Sequence, residues 1–406
     1  MTKLRHVRVV AGLLAAAVVL AACSSSSSGT AASHAVSSSA SSSASSGASS
    51  ASTSAAYKVA EARVAEFLKP PSATLPVTST VTVPKGQLKI AYTWCAVVVC
   101  TEIAAGIQSA AQALGAQFVP FHHQDTASTV GTAFTNALSA NPSMVLTSGD
   151  PVQWYQQQLN QLNAKHVPVV AWSIPEAYHA PGFTANLISN DDYFFQGMLE
   201  ADYVAVQTHG HANVVLESAP QYPVLATQSA GFNYEFPKVC PGCQVTTDNF
   251  SVPQLVSGAN VTATVSTLQK DPKADWLVAT CACLISQQLA TAISNAGFTG
   301  LKAIESDGVA ANYQMMRNHQ LIAADIALAE HYLGWLAVND GLLAMDGKPV
   351  PKFPAPPNTT VPGHPDVLVS GLPIQILTPS DVPGPNQVYT PVPNYQAQFK
   401  KLWGLG

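Results

Sequence analysis

The sequence predicts an α/β body built from parallel strands with helices on both faces. Two observations carry that prediction. From Gln87 onward, apolar runs of four to six residues alternate with stretches of helical period. Apolar residues make up 47% of the 406-residue chain, ample for a large buried core, while Asp, Glu, Lys and Arg together make up only 10%.

In chain order, a helix at 57–68 is stopped by Lys69-Pro70-Pro71, because proline lacks the donor a helix needs. A Pro/Thr/Val connector with no helical period runs on to Pro84. Strand 88–93 leads into helix 101–114, strand 117–121 into helix 126–139, and strand 144–147 into helix 152–164. Strand 167–172 closes this series. A second series has strands at 213–216, 276–279 and 301–304, helices at 254–270 and 284–296, and a last helix at 328–345. In parallel sheets, ligands sit outside the carboxyl ends of the strands. The positions that follow strands here are Trp94, Gln124-Asp125, Ser148-Gly149-Asp150, Trp172-Ser173, Cys281 and Asp307.

The 18 basic and 23 acidic residues give a formal net charge of −5. No cluster of Lys and Arg is available to neutralise phosphates, so nucleic acid is excluded as a main partner.

Residues 1–23 read as an export signal. Lys3, Arg5 and Arg8 form a charged start, and an apolar run to Ala22 follows. That run is shorter than the roughly 20 residues needed to span a bilayer. It ends in Leu20-Ala21-Ala22-Cys23, which is similar to a lipoprotein cleavage box, with Cys23 as the lipidated residue. Residues 24–56 are almost all Ser, Ala, Thr and Gly, a composition expected to form a flexible tether. The expected location is the outer face of the cell membrane, held by a lipid anchor.

The chain resembles the type I periplasmic binding proteins, in their ribose- and sugar-binding branch. The resemblance covers about 86–348 and rests on the order of several short motifs. These are Lys89-Ile90-Ala91-Tyr92, then Gly106, Ala110-Ala111 and Leu114-Gly115, then Asn190-Asp191 opening a helix at 195–207. Gly231-Phe232, Ser306-Asp307-Gly308 and a run at 322–327 feeding the last helix complete the set. The resemblance implies two lobes, each a parallel sheet flanked by helices, joined by a hinge of three crossovers. One lobe would hold 86–188 and about 326–348, and the other 189–325. Residues 57–85 would be a helix and connector, and 349–406 a Pro-rich extension docked on the body. Crossovers would fall near Ser189, near Asp325-Ile326 and after the last helix.

The family's function implies a monomer that captures a small neutral polar ligand, a carbohydrate first, for the membrane permease of an ABC importer. No cofactor and no metal are expected. Residue by residue, Asp307 stands where sugar receptors place a hydroxyl-accepting carboxylate, and Trp94 where an aromatic stacks on the sugar. Asp125, Asp150 and Asp191 are further acceptors, Trp172 a second aromatic, Gln228 an adaptable donor and acceptor, and Cys281 a cleft-edge residue. The chain also departs from the pattern. Trp172-Ser173 replaces an Asp-Arg pair, Gln228 replaces an Arg, and Cys281 replaces an Asn. Ribose itself is therefore a poor fit.

An oxidising compartment favours pairing of the six remaining cysteines. Cys95 with Cys100 and Cys240 with Cys243 read as local disulfides. Cys281 with Cys283 reads as a local bridge too, with free thiols or a bridge between lobes as alternatives. His122-His123 and His209-Gly210-His211 read as surface histidines rather than metal ligands. The competing functions are a sensing receptor for a membrane kinase and an exported enzyme or redox protein. No Gly-x-Ser-x-Gly elbow, His-Glu-x-x-His or phosphate-binding loop is present to favour an enzyme.

Overall fold

The computed structural model describes residues 45–406 apart from 72–74, 76, 354, 356 and 362, with side chains from Ala55 onward. The export signal, Cys23 and the tether as far as 44 lie outside the described residues. Among the described residues, no helix is long and apolar enough to cross a membrane.

Helix α1 (Ser45–Phe67) starts within the Ser/Ala-rich segment rather than at Tyr57. The first sheet then forms from β1 (Lys89–Trp94), β2 (Gln117–His122), β3 (Met144–Ser148), β4 (Val169–Trp172) and β5 (Ala185–Asn186). Helices α2 (Val98–Leu114), α3 (Ala127–Ser139) and α4 (Gln156–Ala164) connect them. Thr126 caps α3, its side chain accepting from the Thr129 N–H, which fixes the helix start where the sequence placed it. The strands run parallel in the order β2-β1-β3-β4-β5.

The chain leaves this lobe through Ser189, which caps α5 (Asn190–Gln207) in a box with Asp192. The second sheet uses β6 (Asn213–Ser218), β7 (Gln244–Asn249), β8 (Trp276–Ala279), β9 (Lys302–Ser306) and β10 (Ile322–Ala327). Its helices are α6 (Pro223–Val239), α7 (Val252–Ser257), α8 (Ala259–Lys270), α9 (Gln287–Asn295) and α10 (Ala310–Arg317). The helix expected over 254–270 is two, because Gly258 takes a left-handed conformation at φ 73° that breaks the run. Helices α5 and α6 pack unusually close: a Cβ on Gly231 would lie 2.0 Å from the Phe194 carbonyl oxygen. Only glycine fits there.

After β10 the chain returns to the first lobe as α11 (Glu330–Met345), which packs against α2. The whole of β10 belongs to the second sheet, so the return comes after Ala327 rather than at Asp325-Ile326. The C-terminal extension then crosses twice more. Asp191 and Asp192 of α5 accept the backbone N–H groups of Leu368 and Ser370, and β11 (Gln375–Leu377) adds antiparallel to β10. Helix α12 (Tyr395–Leu402) goes back to the first lobe, where Trp403 stacks on Trp335 at 5.0 Å and donates to Asn339. The second sheet therefore has the order β11-β10-β9-β8-β6-β7.

The N-terminal segment also spans both lobes. Ala60, Val64 and Phe67 pack into the second-lobe core, and the buried Arg63 pairs with Asp202 of α5 and Glu235 of α6. The connector then bonds to the first lobe, with the Val81 N–H donating to the Leu402 carbonyl and Thr82 N–H to Asp346. The chain passes between lobes five times where the sequence suggested three.

Candidate functional site

Each sheet reverses its strand order once, between β1 and β3 in the first lobe and between β6 and β8 in the second. A crevice opens at such a reversal because adjacent connections lead to opposite faces. The segments that follow these strands meet across the cleft. They enclose an inner cavity of about 50 Å³ lined by Cys95, Trp172, Tyr193, Tyr222, Cys281 and Asp307, with Val97, Val99, Ile103, Val224 and Leu225 supplying aliphatic wall.

Asp307 is the buried carboxylate of this cavity. Its backbone takes the left-handed region at φ 61°, as do Asp125 at 52° and Ser173 at 56°, all at the carboxyl ends of strands. Short polar side chains tolerate that conformation best, and such outliers gather where a site is held in shape. Asp325 fixes the Asp307 loop, accepting the Gly308 N–H at 2.9 Å and the Tyr313 hydroxyl at 3.0 Å. Tyr193 donates to Asp307 Oδ2 at 3.3 Å and sits 2.7 Å from Ser173 Oγ. Asp307 Oδ1 and the indole Nε1 of Trp172 have no protein partner. Burial pushes the Asp307 carboxyl up to about 7, partly opposed by the Tyr193 hydroxyl.

Below the cleft, His123 is sandwiched between two carboxylates. Its Nδ1 lies 3.0 Å from Asp125 and its Nε2 lies 3.1 Å from Asp150. Burial raises Asp150 to about 7, with His123 pulling it back and Asp125 adding to the rise. Asp125 also accepts the Ala96 N–H at 2.9 Å and, from the other lobe, the Tyr222 hydroxyl at 2.8 Å. These three residues are the one group among the described residues with ligand atoms close enough to hold a metal ion. As they stand, each imidazole nitrogen already faces a carboxylate.

Of the eight binding positions expected from sequence, Trp172, Cys281 and Asp307 line the cavity. The others lie outside its wall. Asp125 and Asp150 bind His123; Trp94 stacks on His122 with centroids 4.3 Å apart; Asp191 holds the C-terminal extension. Gln228 is buried within the second lobe, where its amide donates to Glu200 and Ser306 at 2.7 Å each. His123 corrects the surface reading: it is fully buried, whereas His122, His209 and His211 are exposed. Tyr193 and Tyr222 carried no sequence signal, since nothing in their local pattern shows that they face the opposite lobe.

All three cysteine pairs are local. Their Cα atoms stand 5.8 Å apart for Cys95–Cys100, 5.4 Å for Cys240–Cys243 and 5.1 Å for Cys281–Cys283, within the disulfide range. Two of them brace the cleft, one from each lobe, and neither ties the lobes together.

No protein-family profile and no curated protein matches the chain. Solved structures do. A sugar ABC transporter protein from Yersinia enterocolitica is 16% identical with a TM-score of 0.62, covering 81% of this chain and 99% of that one. The 5-methylthioribose transporter solute-binding protein from Thermotoga lettingae, solved with 5-methylthioribose, is 17% identical with a TM-score of 0.61, covering 74% and 88%. An ABC transporter solute-binding protein from Bacillus halodurans with bound myo-inositol is 14% identical with a TM-score of 0.59, covering 73% and 96%. Two parallel-dominated sheets facing each other across a cleft, in a chain similar to these structures over most of its length, have the fold of the type I periplasmic binding proteins.

Proposed function

We propose that the protein is an extracytoplasmic receptor, lipid-anchored through Cys23, that captures a small polar ligand between its lobes and presents it to an ABC-type permease. A sugar or polyol is the ligand class. The observation that carries this reading is Asp307, a buried cleft carboxylate with one oxygen free of protein partners, facing an aromatic wall. A carboxylate accepts from ligand hydroxyls, and a ring face suits the C–H side of a sugar. Structural similarity to proteins solved with 5-methylthioribose and myo-inositol supports the same class.

Binding is favoured over catalysis by the similarity of the chain to solute-binding proteins solved with small polar ligands. A thermal-shift panel of pentoses, hexoses, polyols and 5-methylthioribose at about 1 mM tests the reading. A ligand at 1,000 times its dissociation constant stabilises by roughly 4 kcal/mol, a shift of several degrees. Asp307→Ala should abolish the shift, while the surface change Asp271→Ala should preserve it. A folded protein that shifts with no member of the panel would sink the sugar assignment.

A further inference from the structure

The cavity that holds Asp307 supplies no cation to it. Among the described residues, no Lys, Arg or His lines that space. Asp307 belongs instead to a group of buried acids, with Glu200 of α5, Glu305 of β9, Asp325 of β10 and Glu330 of α11. Burial, with the Asp307 charge added to it, pushes all four of these carboxyls well above the usual carboxylate range, and no basic side chain opposes the rise. Three of them are engaged within the protein. Glu200 accepts from Gln228 and Ser306, Glu305 from Asn312, and Asp325 from Tyr313 and the Gly308 N–H. Asp307 alone of the five lines the cavity, and its Oδ1 has no protein partner.

A second observation comes from the rings. Trp172 of the first lobe and Tyr193 and Tyr222 of the second line the same cavity, and all three are buried. Aromatic faces attract a cation through the ring quadrupole, Trp most strongly, and more so where water is excluded. A neutral hydroxyl would give Asp307 one hydrogen bond and leave the negative charge around it uncompensated. An ammonium group answers the carboxylate and the rings together, and charge-assisted bonds are about twice as strong as neutral ones. An anion would meet no opposing charge.

We infer that the ligand carries a protonated amine, seated in this cavity against Asp307 and among Trp172, Tyr193 and Tyr222, so that its class is an amino sugar or amino polyol rather than a neutral one. This rests on the receptor reading above and narrows its ligand class. Seating a cation there holds Asp307 ionised. Since burial lifts that carboxyl to about 7, binding at lower pH must expel the proton that the empty site keeps. A neutral sugar makes no such demand.

The test is calorimetric titration of the whole protein with matched sets: glucose, glucosamine and N-acetylglucosamine, the galactose equivalents, and sorbitol beside glucamine. The amine of the recognised set should bind at least about ten-fold more tightly than its neutral parent, the gain of a charge-assisted over a neutral hydrogen bond. The N-acetyl compound, which keeps the nitrogen and loses the charge, should lose that gain. Repeating the titration at about pH 6 in two buffers of different ionisation enthalpy should show close to one proton released per amine bound. Asp307→Asn keeps an acceptor and removes the charge, so it should bring the affinity ratio to about one and abolish the proton release. An amine that binds no more tightly than its parent overturns the assignment and leaves the receptor reading standing. A preference undiminished in a folded Asp307→Asn protein overturns it too, as does binding to the unaltered protein without proton release. If no member of any set binds the folded protein, the receptor reading fails and the inference falls with it.

Discussion

The Tyr222 hydroxyl, from the second lobe, donates to the Asp125 carboxylate of the first at 2.8 Å. Gln221 reinforces the contact by donating to the Asp125 carbonyl at 2.6 Å. These bonds join the lobes at the cleft, and the Asp125 carboxylate is itself oriented by His123 and the Ala96 N–H.

Tyr222→Phe should therefore loosen the ligand-free closed form. A buried hydrogen bond to a charged acceptor contributes about 1.5–3 kcal/mol. Small-angle scattering of the ligand-free variant should give a larger radius of gyration than the parent. Identical curves would remove Tyr222 as a latch.

Stability should fall as pH rises from about 5 to about 8. Burial raises the carboxyls of Asp150 and Asp307 to about 7 and of Asp340 to about 8. The folded chain then holds protons that the unfolded chain, with carboxylates near 4, has released. Deprotonation thus favours unfolding progressively up to the folded values, and the loss is complete above them. The melting temperature should drop by several degrees across that window, and Asp340→Asn should flatten the slope. A melting temperature that climbs with pH would contradict the account.

Arg63→Ala leaves Asp202 and Glu235 buried without their cation. Breaking a buried pair by removing one partner costs about 3–5 kcal/mol. The urea midpoint should fall accordingly, whereas Lys69→Ala, at an exposed pair with Glu66, should hardly move it.

Gly231→Ala drives a Cβ into the Phe194 carbonyl, 2.0 Å away. Backbone cannot yield as a flexible side chain would, so helices α5 and α6 must separate. A loss of about 3 kcal/mol or more is expected by denaturant titration. Wild-type stability in this variant would mean the helices have room to slide.

The alternation of strand and helix was legible because it is local: β8 and the end of α3 fall where periodicity places them. The cleft was legible as far as strand ends define it, which is why Trp172, Cys281 and Asp307 fall on the wall of its cavity. The burial of His123 and the pairing of Asp125 were hidden for a single reason. Their partners, Asp150 and Tyr222, come from other strands and from the other lobe, and no local pattern carries that information. Strand β11 was hidden by the prolines that flank it, Pro373 and Pro379; its three residues gain strand geometry by pairing with β10. Helix α1 draws its stability from burying Phe67 and Arg63 against helices far along the chain.

The five passages between lobes also govern the order of assembly. The second lobe takes α1 from the beginning of the chain and β11 from near its end, and the first lobe is completed by α12, the last element of all. Neither lobe can finish on its own while the chain is still emerging, as a domain with contiguous sequence would. Both close together once residue 403 is present, so a chain truncated before α12 leaves Trp335 and Asn339 without their cover, and an exposed α11 in place of a finished first lobe.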